Sequence, residues 1–244
     1  MKVDIGYLSH RGLVRTNNED NFLINQNINL FIIADGLGGH QGGEIASRLA
    51  VDIISEFVEE KISKNNGCDY QEVFKAGYEK ANTEILKRGY ELHQTQLMGT
   101  TATSLLLLED RYFISHTGDS RAYLIRNKEI TQITKDHTRL QEMIDEDGIS
   151  ANFIFDRNFY GSILTYCIGY DEKLKVDFYE GELLDGDYLL LCTDGLSDYV
   201  DEKDICTQFS LKINPEDICK SLLELALESG GHDNITVIVV GISV

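Results

Sequence analysis

The sequence predicts an α+β layered domain with much antiparallel sheet. Apolar segments of strand length outnumber segments with a helical period, and the strand-like segments follow one another in hairpin-like runs. Of the 244 residues, 42% are hydrophobic, which is enough for a substantial core. The chain has a single proline, Pro215, and no stretch rich in Pro, Gly or Ser that resembles a linker. We therefore expect one domain over residues 1–244.

The N-terminal half is predicted to contain strands first and two helices afterwards. Short apolar pieces separated by turn residues indicate strands, and an apolar residue at every fourth position indicates an amphipathic helix. The predicted strands are 3–8, 22–26 and 29–35, with a tight turn flanked by Asn27 and Asn29. The first helix has the stripe Ile45, Leu49, Ile53 and Phe57, adjoined by Ala46, Ala50, Ile54 and Val58. The second helix spans about 70–92, with Phe74, Tyr78, Ala81, Ile85 and Leu92 on one face.

The C-terminal half is predicted to return to strands. A helix over 137–147 ends at Gly148, and the stretch 149–161 has no clean period, so we expect a long loop or flap there. Asn214 and Pro215 mark the start of a capped helix that runs to Gly230-Gly231. The predicted strands are 100–108, 111–117, 121–126, 129–133, 163–168, 174–180, 187–193 and 235–242.

The net charge of −19 argues against nucleic acid as a partner, because binding to its phosphate backbone needs basic patches. It argues against anionic membrane surfaces for the same reason. The five cysteines are odd in number and contain no C-x-x-C pair, which is typical of reduced thiols in a cytosolic protein. The N-terminus has no segment of the signal-peptide type, and no apolar stretch is long enough to span a bilayer. We expect a cytoplasmic protein and a monomer.

Two apolar runs end in the dipeptide Asp-Gly, at Asp35-Gly36 and at Asp194-Gly195. Such a run predicts a buried strand that delivers a carboxylate to its tip, where glycine lets the backbone turn or approach a ligand. If the two tips meet, their like charges would be held together best by a hard divalent cation such as Mg²⁺ or Mn²⁺.

Taken singly, each Asp-Gly pair is better explained by a turn than by a ligand. Asp and Gly dominate turns for backbone reasons, and about one such pair is expected by chance in a chain of this length. We interpret Asp147-Gly148 as a helix stop and Asp185-Gly186 as a turn. Other acidic residues lie beside glycine or asparagine at predicted element ends, namely Glu19, Asp20, Asp119 and Asp233.

The order and surroundings of these acidic sites resemble a known family, the metal-dependent serine/threonine protein phosphatases of the 2C type, in their bacterial form. The matching segments span nearly the whole chain and occur in the family's order. They are Arg15 to Asp20, Asp35 to His40, Met98-Gly99-Thr100-Thr101, Gly118-Asp119-Ser120-Arg121, Thr193-Asp194-Gly195 and Asp233-Asn234.

The resemblance implies a four-layer α-β-β-α sandwich, with two mainly antiparallel sheets flanked by helices and a metal centre at one edge. It also implies the ligands of two to three Mn²⁺ or Mg²⁺ ions. Asp35 would bridge two ions, Asp194 and Asp233 would complete the shell of the first, and Glu19 and the carbonyl of Gly36 would serve the second. Asp20 would hydrogen-bond to a water on an ion, and Asp119 with Asp194 would hold a weaker third ion.

The implied activity is hydrolysis of phosphoserine and phosphothreonine in proteins by a metal-bridged water, opposing a eukaryotic-like serine/threonine kinase. Two ions about 4 Å apart acidify a shared water and clamp the attacking and leaving oxygens at phosphorus. Arg15 is the candidate cationic contact for the phosphate, since a planar guanidinium holds two oxygens at once; the alternative is a surface ion pair.

The proton donor to the leaving group is less defined. Animal-type members have a histidine directly after the Asp-Gly, where this chain has Leu37. His40 is the candidate general acid, and it could instead contribute to the loop or do neither. The segment 149–168 also departs from the family: bacterial members usually have a basic, proline-containing flap, whereas this chain has Phe153, Phe155, Phe159 and Tyr160.

Two rival functions can be compared with this prediction. A cysteine-based phosphatase needs an arginine six residues after its nucleophile, and none of the five cysteines has one. A non-catalytic metal-binding pseudo-phosphatase, acting as a regulatory binding module, would keep the ligands without the activity. Hydrolysis assays separate the metal-dependent phosphatase from this binding module.

Overall fold

Nineteen helices and strands are found in the residues that the computed structural model describes, which are 1–38, 42–64, 67–92, 98–148, 156–211 and 214–243. The strands are β1 (Lys2–His10), β2 (Asn21–Asn25), β3 (Leu30–Ala34), β4 (Gly36–Leu37), β5 (Gly99–Thr100), β6 (Ala102–Leu108), β7 (Arg111–Thr117), β8 (Arg121–Arg126), β9 (Glu129–Gln132), β10 (Asp177–Glu182), β11 (Tyr188–Cys192) and β12 (Ile235–Ser243). The helices are α1 (Gly42–Lys64), α2 (Tyr70–Leu92), α3 (Arg139–Asp147), α4 (Arg157–Gly161), α5 (Asp194–Ser197), α6 (Glu202–Leu211) and α7 (Pro215–Glu228).

Two five-stranded sheets form the centre of the fold. One has the strand order β1-β12-β11-β8-β9 and the other the order β10-β7-β6-β3-β2, and neighbouring strands run antiparallel. The short strands β4 and β5 pair separately, with Gly36 opposite Thr100 and Leu37 opposite Gly99. This small pair joins the first Asp-Gly tip to the segment that begins at Met98.

Strand β3 shows why its sequence is apolar at every position. Phe31 and Ile33 pack into the layer between the two sheets, whereas Leu30, Ile32 and Ala34 pack against the helices on the outer side. A strand covered on both faces has no position for a polar side chain, so it appears in the sequence as a continuous apolar run.

Three apolar layers follow from this arrangement. The layer between the sheets is flanked by one layer under α1 and α2 and another under α5, α6 and α7. Tyr78 of α2 ties its helix to the sheet, because its hydroxyl contacts Ser104 Oγ at 2.9 Å and donates to the carbonyl of Ser115 at 2.8 Å. The fold is therefore the four-layer α-β-β-α sandwich that the resemblance implied.

The helix predictions are confirmed with one adjustment. In α1 the fully buried stripe is Ala46, Ala50, Ile54 and Val58, while Ile45, Leu49, Ile53 and Phe57 are only partly buried. Small alanines let the helix axis lie close to its neighbours, so they occupy the tightest contact. The cap at Asn214 is confirmed, since its side chain accepts a hydrogen bond from the backbone N–H of Glu216. Gly148 ends α3 with φ of 60°.

Two predictions between residues 156 and 211 are wrong. The strand expected at 163–168 is absent: Leu164 and Ile168 make only isolated bridges, to Thr138 and Thr100. Residues 157–161 form the one-turn helix α4, where a loop was expected, while 149–155, with Phe153 and Phe155, lie outside the described residues. The sequence analysis also missed α6, whose inner face rests on Ile205 and Phe209.

Within the described part of the chain, the helices are all too short or too polar to cross a bilayer.

Candidate metal centre

The two Asp-Gly tips meet at one edge of the sandwich. Strand β3 ends at Ala34 and strand β11 at Cys192, and these strands belong to different sheets. Asp35 follows the first strand directly, and Asp194 follows the second after Thr193, as the first residue of α5. The carboxyl groups of Asp35 and Asp194 lie close enough for each to shift the pKa of the other. Two carboxyl groups separated by 159 positions in the chain thus share one place.

The carboxylates of this cluster repel one another. Burial, together with the carboxylates of Asp20, Asp194 and Asp119, raises the pKa of Asp35 well above its usual range. Burial and the neighbouring Asp233 raise the pKa of Asp194 to about 7. Burial and the charge of Asp194 also raise the pKa of Asp119. Excess negative charge in a desolvated place is relieved either by protons or by a cation.

Asp20 lies on the inner side of the cluster and is only 6% exposed. Its Oδ2 accepts hydrogen bonds from the hydroxyls of Thr193 at 2.9 Å and Thr236 at 2.7 Å. Its Oδ1 is buried without a hydrogen-bond partner among the described residues, and the same holds for Oδ1 of Asp194. Burial raises the pKa of Asp20 to about 7 despite the two hydroxyl donors. Both unpartnered oxygens can accept a proton or contact a cation.

Glu19 reaches the cluster through close backbone packing. A β-carbon on Gly43 would collide with Oε2 of Glu19, and one on Gly36 would collide with the carbonyl of Gly43. The Glu19 carboxylate therefore lies against the first turn of α1, where the unpaired N–H groups favour negative charge. Only glycine at these two positions leaves room for the carboxylate beside the Gly36 backbone.

Asn234 holds the loop that carries Glu19 in place. Its side-chain amide donates to the carbonyls of Arg11 and Asn17, both at 2.9 Å, and its Oδ1 accepts from the N–H of Glu19 at 2.7 Å. The residue is 4% exposed. The sequence analysis placed Asn234 in a motif without a role, because these three partners are more than 200 positions away in the chain.

Arg15 lies at the rim of the cluster. Its Nη2 donates to Oδ2 of Asp233 at 2.7 Å, and its side chain is 57% exposed. This contact and the charges of Asp194 and Asp35 raise the pKa of Arg15. The other guanidinium nitrogens make no hydrogen bond within the part of the chain that the structure describes. The residue predicted to bind phosphate is thus joined to a residue predicted to bind metal.

The structure brings eight of the nine predicted site residues to this edge. These are Arg15, Glu19, Asp20, Asp35, Gly36, Asp119, Asp194 and Asp233. His40 lies outside the described residues, so its role as a general acid stays a prediction.

Few side chains are needed for each ion. Among the described side chains, no group of three Asp, Glu, His or Cys is placed to hold one ion. Asp233 is bonded to Arg15 in this arrangement, and its place beside Asp35 and Asp194 in the shell of the first ion stays a prediction. Mg²⁺-type sites with one or two carboxylates per ion complete their shells with water and carbonyl oxygens.

Asp198, which was not predicted as a site residue, adds a further carboxylate next to the cluster. A cavity of about 490 Å³ is lined by Asp119, Asp198 and the ion pair of Arg121 with Asp136, whose closest distance is 2.7 Å. Desolvation and the charges of Asp136 and Asp233 raise the pKa of Asp198, while Arg121 opposes the shift. The available signal was its spacing, four residues after Asp194, which places both on one face of a helical turn.

Three comparisons with known proteins bear on this centre. The family model of protein phosphatase 2C matches residues 10–224. The chain is 36% identical over 231 residues to the serine/threonine protein phosphatase PstP of Mycobacterium tuberculosis, covering 95% of this chain but only 43% of that protein. It is 30% identical over 237 residues to the serine/threonine phosphatase stp of Listeria monocytogenes, covering 96% of this chain and 94% of that protein.

A solved structure is also similar. The catalytic domain of PstP in complex with two manganese ions superposes with a TM-score of 0.84 at 33% identity, covering 100% of both chains. The likeness therefore extends over the whole sandwich and includes the edge at which the carboxylates meet.

Proposed function

This chain belongs to the protein phosphatase 2C family, and we propose that it hydrolyses phosphoserine and phosphothreonine in proteins at a centre of two or three Mn²⁺ or Mg²⁺ ions. The observation that carries the proposal is the convergence of the Asp35 and Asp194 carboxyl groups, which lie near enough to shift each other's pKa, at the ends of β3 and β11. Tips of two different sheets deliver like charges to one desolvated place, which costs stability unless a cation is bound there.

The donor set suits such ions. Every candidate ligand is an oxygen, which hard divalent cations prefer, and the buried Oδ1 atoms of Asp20 and Asp194 have no partner among the described residues. In this proposal Asp35, Asp194 and Asp233 would hold a first ion, and Asp35, Glu19 and the Gly36 carbonyl would hold a second. Asp119 with Asp194 would hold a weaker third ion. When bound, the ions make a water acidic enough to attack phosphorus and neutralise the phosphate oxygens.

Arg15 orients the phosphate in this proposal. Its Nη2 is anchored on Asp233, which leaves the remaining N–H groups to donate to two phosphate oxygens. The exposed position lets a protein-bound phosphate reach it, and the anchor reduces the freedom that the side chain loses on binding.

Asp20 accepts the proton of the attacking water. The hydroxyls of Thr193 and Thr236 fix Oδ2, so Oδ1 is the oxygen left to take a proton. Burial raises the pKa of Asp20, so its carboxylate takes up a proton more readily than an exposed aspartate does.

The thiols support attack by water over a covalent phosphoenzyme. Burial raises the pKa of Cys167, Cys192 and Cys219 to about 12, which leaves almost no thiolate at neutral pH. Cys206 has a pKa raised by burial as well.

The substrates and the place of action are proposed from the resemblance and the composition. We propose phosphoproteins made by a eukaryotic-like serine/threonine kinase as substrates, and a cytoplasmic setting in which the five free cysteines stay reduced.

Hydrolysis assays test this function. We expect wild type with Mn²⁺ to hydrolyse p-nitrophenyl phosphate and a phosphothreonine peptide, and Asp35→Asn to lower kcat/KM by at least about 10²-fold because a shared ligand is lost. Asp185→Asn, which changes the aspartate of an exposed Asp-Gly turn, is the matched control and should keep wild-type rates. Equal rates in wild type and Asp35→Asn would refute the proposed centre. No rate in either would favour the non-catalytic metal-binding module.

A further inference from the structure

A second cavity, of about 400 Å³, lies beside the carboxylate cluster. Its walls come from three segments: Leu37-Gly38, Gly99, and residues between 164 and 173. A volume of this size accommodates one large side chain or a small organic group. The activity proposed above leaves this cavity without a role.

The cavity lies close to the centre. Leu37 is two residues after Asp35, so their Cα atoms are no more than about 7.6 Å apart. The pairing of Leu37 with Gly99 fixes two of the walls against each other. Burial raises the pKa of Cys167 in the third wall, and the charge of Asp119 adds to the shift. A peptide whose phosphorylated residue lies at the cluster would therefore pass over the mouth of the cavity.

The lining is mostly apolar and leaves space at its base. Leu37, Tyr166 and Tyr170 contribute apolar surface, and Tyr170 keeps 58% of its surface exposed. Gly99 has no side chain to fill the space; a β-carbon there would lie 3.4 Å from Sγ of Cys167. An apolar side chain entering from solvent would bury surface against these groups, which is favourable.

Lys173 gives the cavity a charge preference. It lines the cavity and, within the described part of the chain, makes no ion pair. Its neighbour Lys175 contrasts with it, since Lys175 is bonded to Asp177 at 3.3 Å. Asp171 also lines the cavity, and its Oδ1 accepts a hydrogen bond from the backbone N–H of Lys173 at 3.2 Å. The ammonium group of Lys173 can therefore still pair with an acidic group on the substrate.

We propose that this cavity selects substrates, by binding a large apolar side chain within two positions of the phosphorylated residue while Lys173 pairs with an acidic residue next to it. The inference rests on the phosphatase activity proposed above. A span of two residues corresponds to about 7 Å of extended chain, which is comparable with the limit of about 7.6 Å on the Cα distance between Asp35 and Leu37.

Phosphothreonine peptides test the apolar preference. Each peptide is rich in alanine and carries a single leucine or phenylalanine, one or two positions before or after the phosphothreonine. The value of kcat/KM is measured for each peptide with Mn²⁺. We expect one position to give about tenfold higher kcat/KM than alanine, the size typical of a side chain in an apolar pocket. Cys167→Phe should fill the cavity and abolish the preference. Cys206→Phe, on the far helix α6, is the matched control and should keep it.

The charge preference is tested in the same assay. Lys173→Glu should lower kcat/KM about tenfold for a peptide with aspartate beside the apolar residue and have little effect on its asparagine counterpart. Lys203→Glu, exposed on α6, controls for the change in net charge.

p-Nitrophenyl phosphate separates failure of the inference from failure of the activity. It is too small to span both sites, so all four variants should hydrolyse it at the wild-type rate. Turnover of p-nitrophenyl phosphate with no peptide preference at any position would overturn the cavity's role and leave the activity standing. A preference that persists in Cys167→Phe would also overturn it. A third outcome would overturn it as well. If light scattering showed that Cys167→Phe changes the molar mass of the protein in solution, the cavity would be part of a contact between two copies of the chain.

Discussion

Arg15 and Asp233 show at the scale of single residues how the cluster is balanced. Asp233 is bonded to a cationic side chain, and Arg15 is held by that bond at the rim. Asp35, Asp119 and Asp194 make no such ion pair within the described residues, and their pKa values are raised. In the proposed function, binding of phosphate and binding of metal would therefore be linked through one ion pair.

We predict that Arg15→Ala lowers kcat/KM for a phosphothreonine peptide by about 10²-fold, because a charged bidentate contact to the phosphate is lost. Arg15→Lys should recover no more than about a tenth of the lost activity, since an ammonium cannot donate in two parallel directions. Mn²⁺ affinity, measured by calorimetry, should stay the same or rise, because Asp233 is released. Weaker Mn²⁺ binding with unchanged peptide kinetics would mean that Arg15 only supports Asp233.

The residues of the centre were predictable because each stands at an element end beside glycine or asparagine. Asp35 and Asp194 follow long apolar runs, and this pattern is visible in sequence. Asp198 and Asn234 were not assigned, since their roles depend on which side chains the fold brings near them. Asn234 donates a hydrogen bond to the carbonyl of Arg11, which is far away in the sequence, and no local sequence pattern indicates such a contact.

At the scale of elements, the loop between β1 and β2 depends on one side chain from the start of β12. Asn234 makes three hydrogen bonds to that loop and is almost fully buried. We predict that Asn234→Ala lowers the free energy of unfolding by about 2–4 kcal/mol, because three backbone groups lose partners. Mn²⁺ affinity should fall about tenfold or more as Glu19 loses its position.

Urea unfolding and Mn²⁺ titration measure both effects. Asn27→Ala, in an exposed turn, is the matched control and should change neither quantity. If Asn234→Ala lost stability but bound Mn²⁺ as wild type does, the loop would not position a metal ligand.

Strands and helices were predictable to different extents. Strands β3 and β11 were found because both faces are buried, which leaves a continuous apolar run. Helix α6 was missed because it places only Ile205 and Phe209 in the core and is otherwise polar. The segment 163–168 has strand-like composition, but its ends pair only with Thr138 and Thr100, outside both large sheets. Composition shows that a segment is apolar, whereas its partners decide whether it joins a sheet.

At the scale of the whole molecule, the cluster links stability to pH. Asp20 and Asp194 have pKa values of about 7 in the folded protein, against an ordinary value of 3.8, and those of Asp35 and Asp119 are raised too. The folded state therefore binds more protons than the unfolded state between about pH 4 and pH 7, so stability falls as pH rises through that window. His116 opposes this trend, because burial lowers its pKa to about 3 and stability is lost as pH falls below 6.5.

The effect of four carboxyl groups on stability exceeds that of one histidine. We therefore predict that the Tm of the protein in EDTA is lower at pH 7.5 than at pH 5, by about 5 °C or more. Mn²⁺ at pH 7.5 should raise Tm, and Asp35→Asn in EDTA should flatten the pH dependence. Differential scanning calorimetry measures all three. A Tm in EDTA that rises from pH 5 to pH 7.5 would show that the carboxylates are not crowded in the folded state.

The convergence of Asp35 and Asp194 on divalent cations is tested most directly by anomalous diffraction at the manganese edge, from crystals grown with Mn²⁺. The expected result is two or three anomalous peaks at the edge of the sandwich, with one within about 2.3 Å of oxygens of both Asp35 and Asp194. In Asp35→Asn crystals that peak should be lost or strongly reduced. Absence of peaks at this edge in the wild-type protein, or peaks unchanged by Asp35→Asn, would contradict the account.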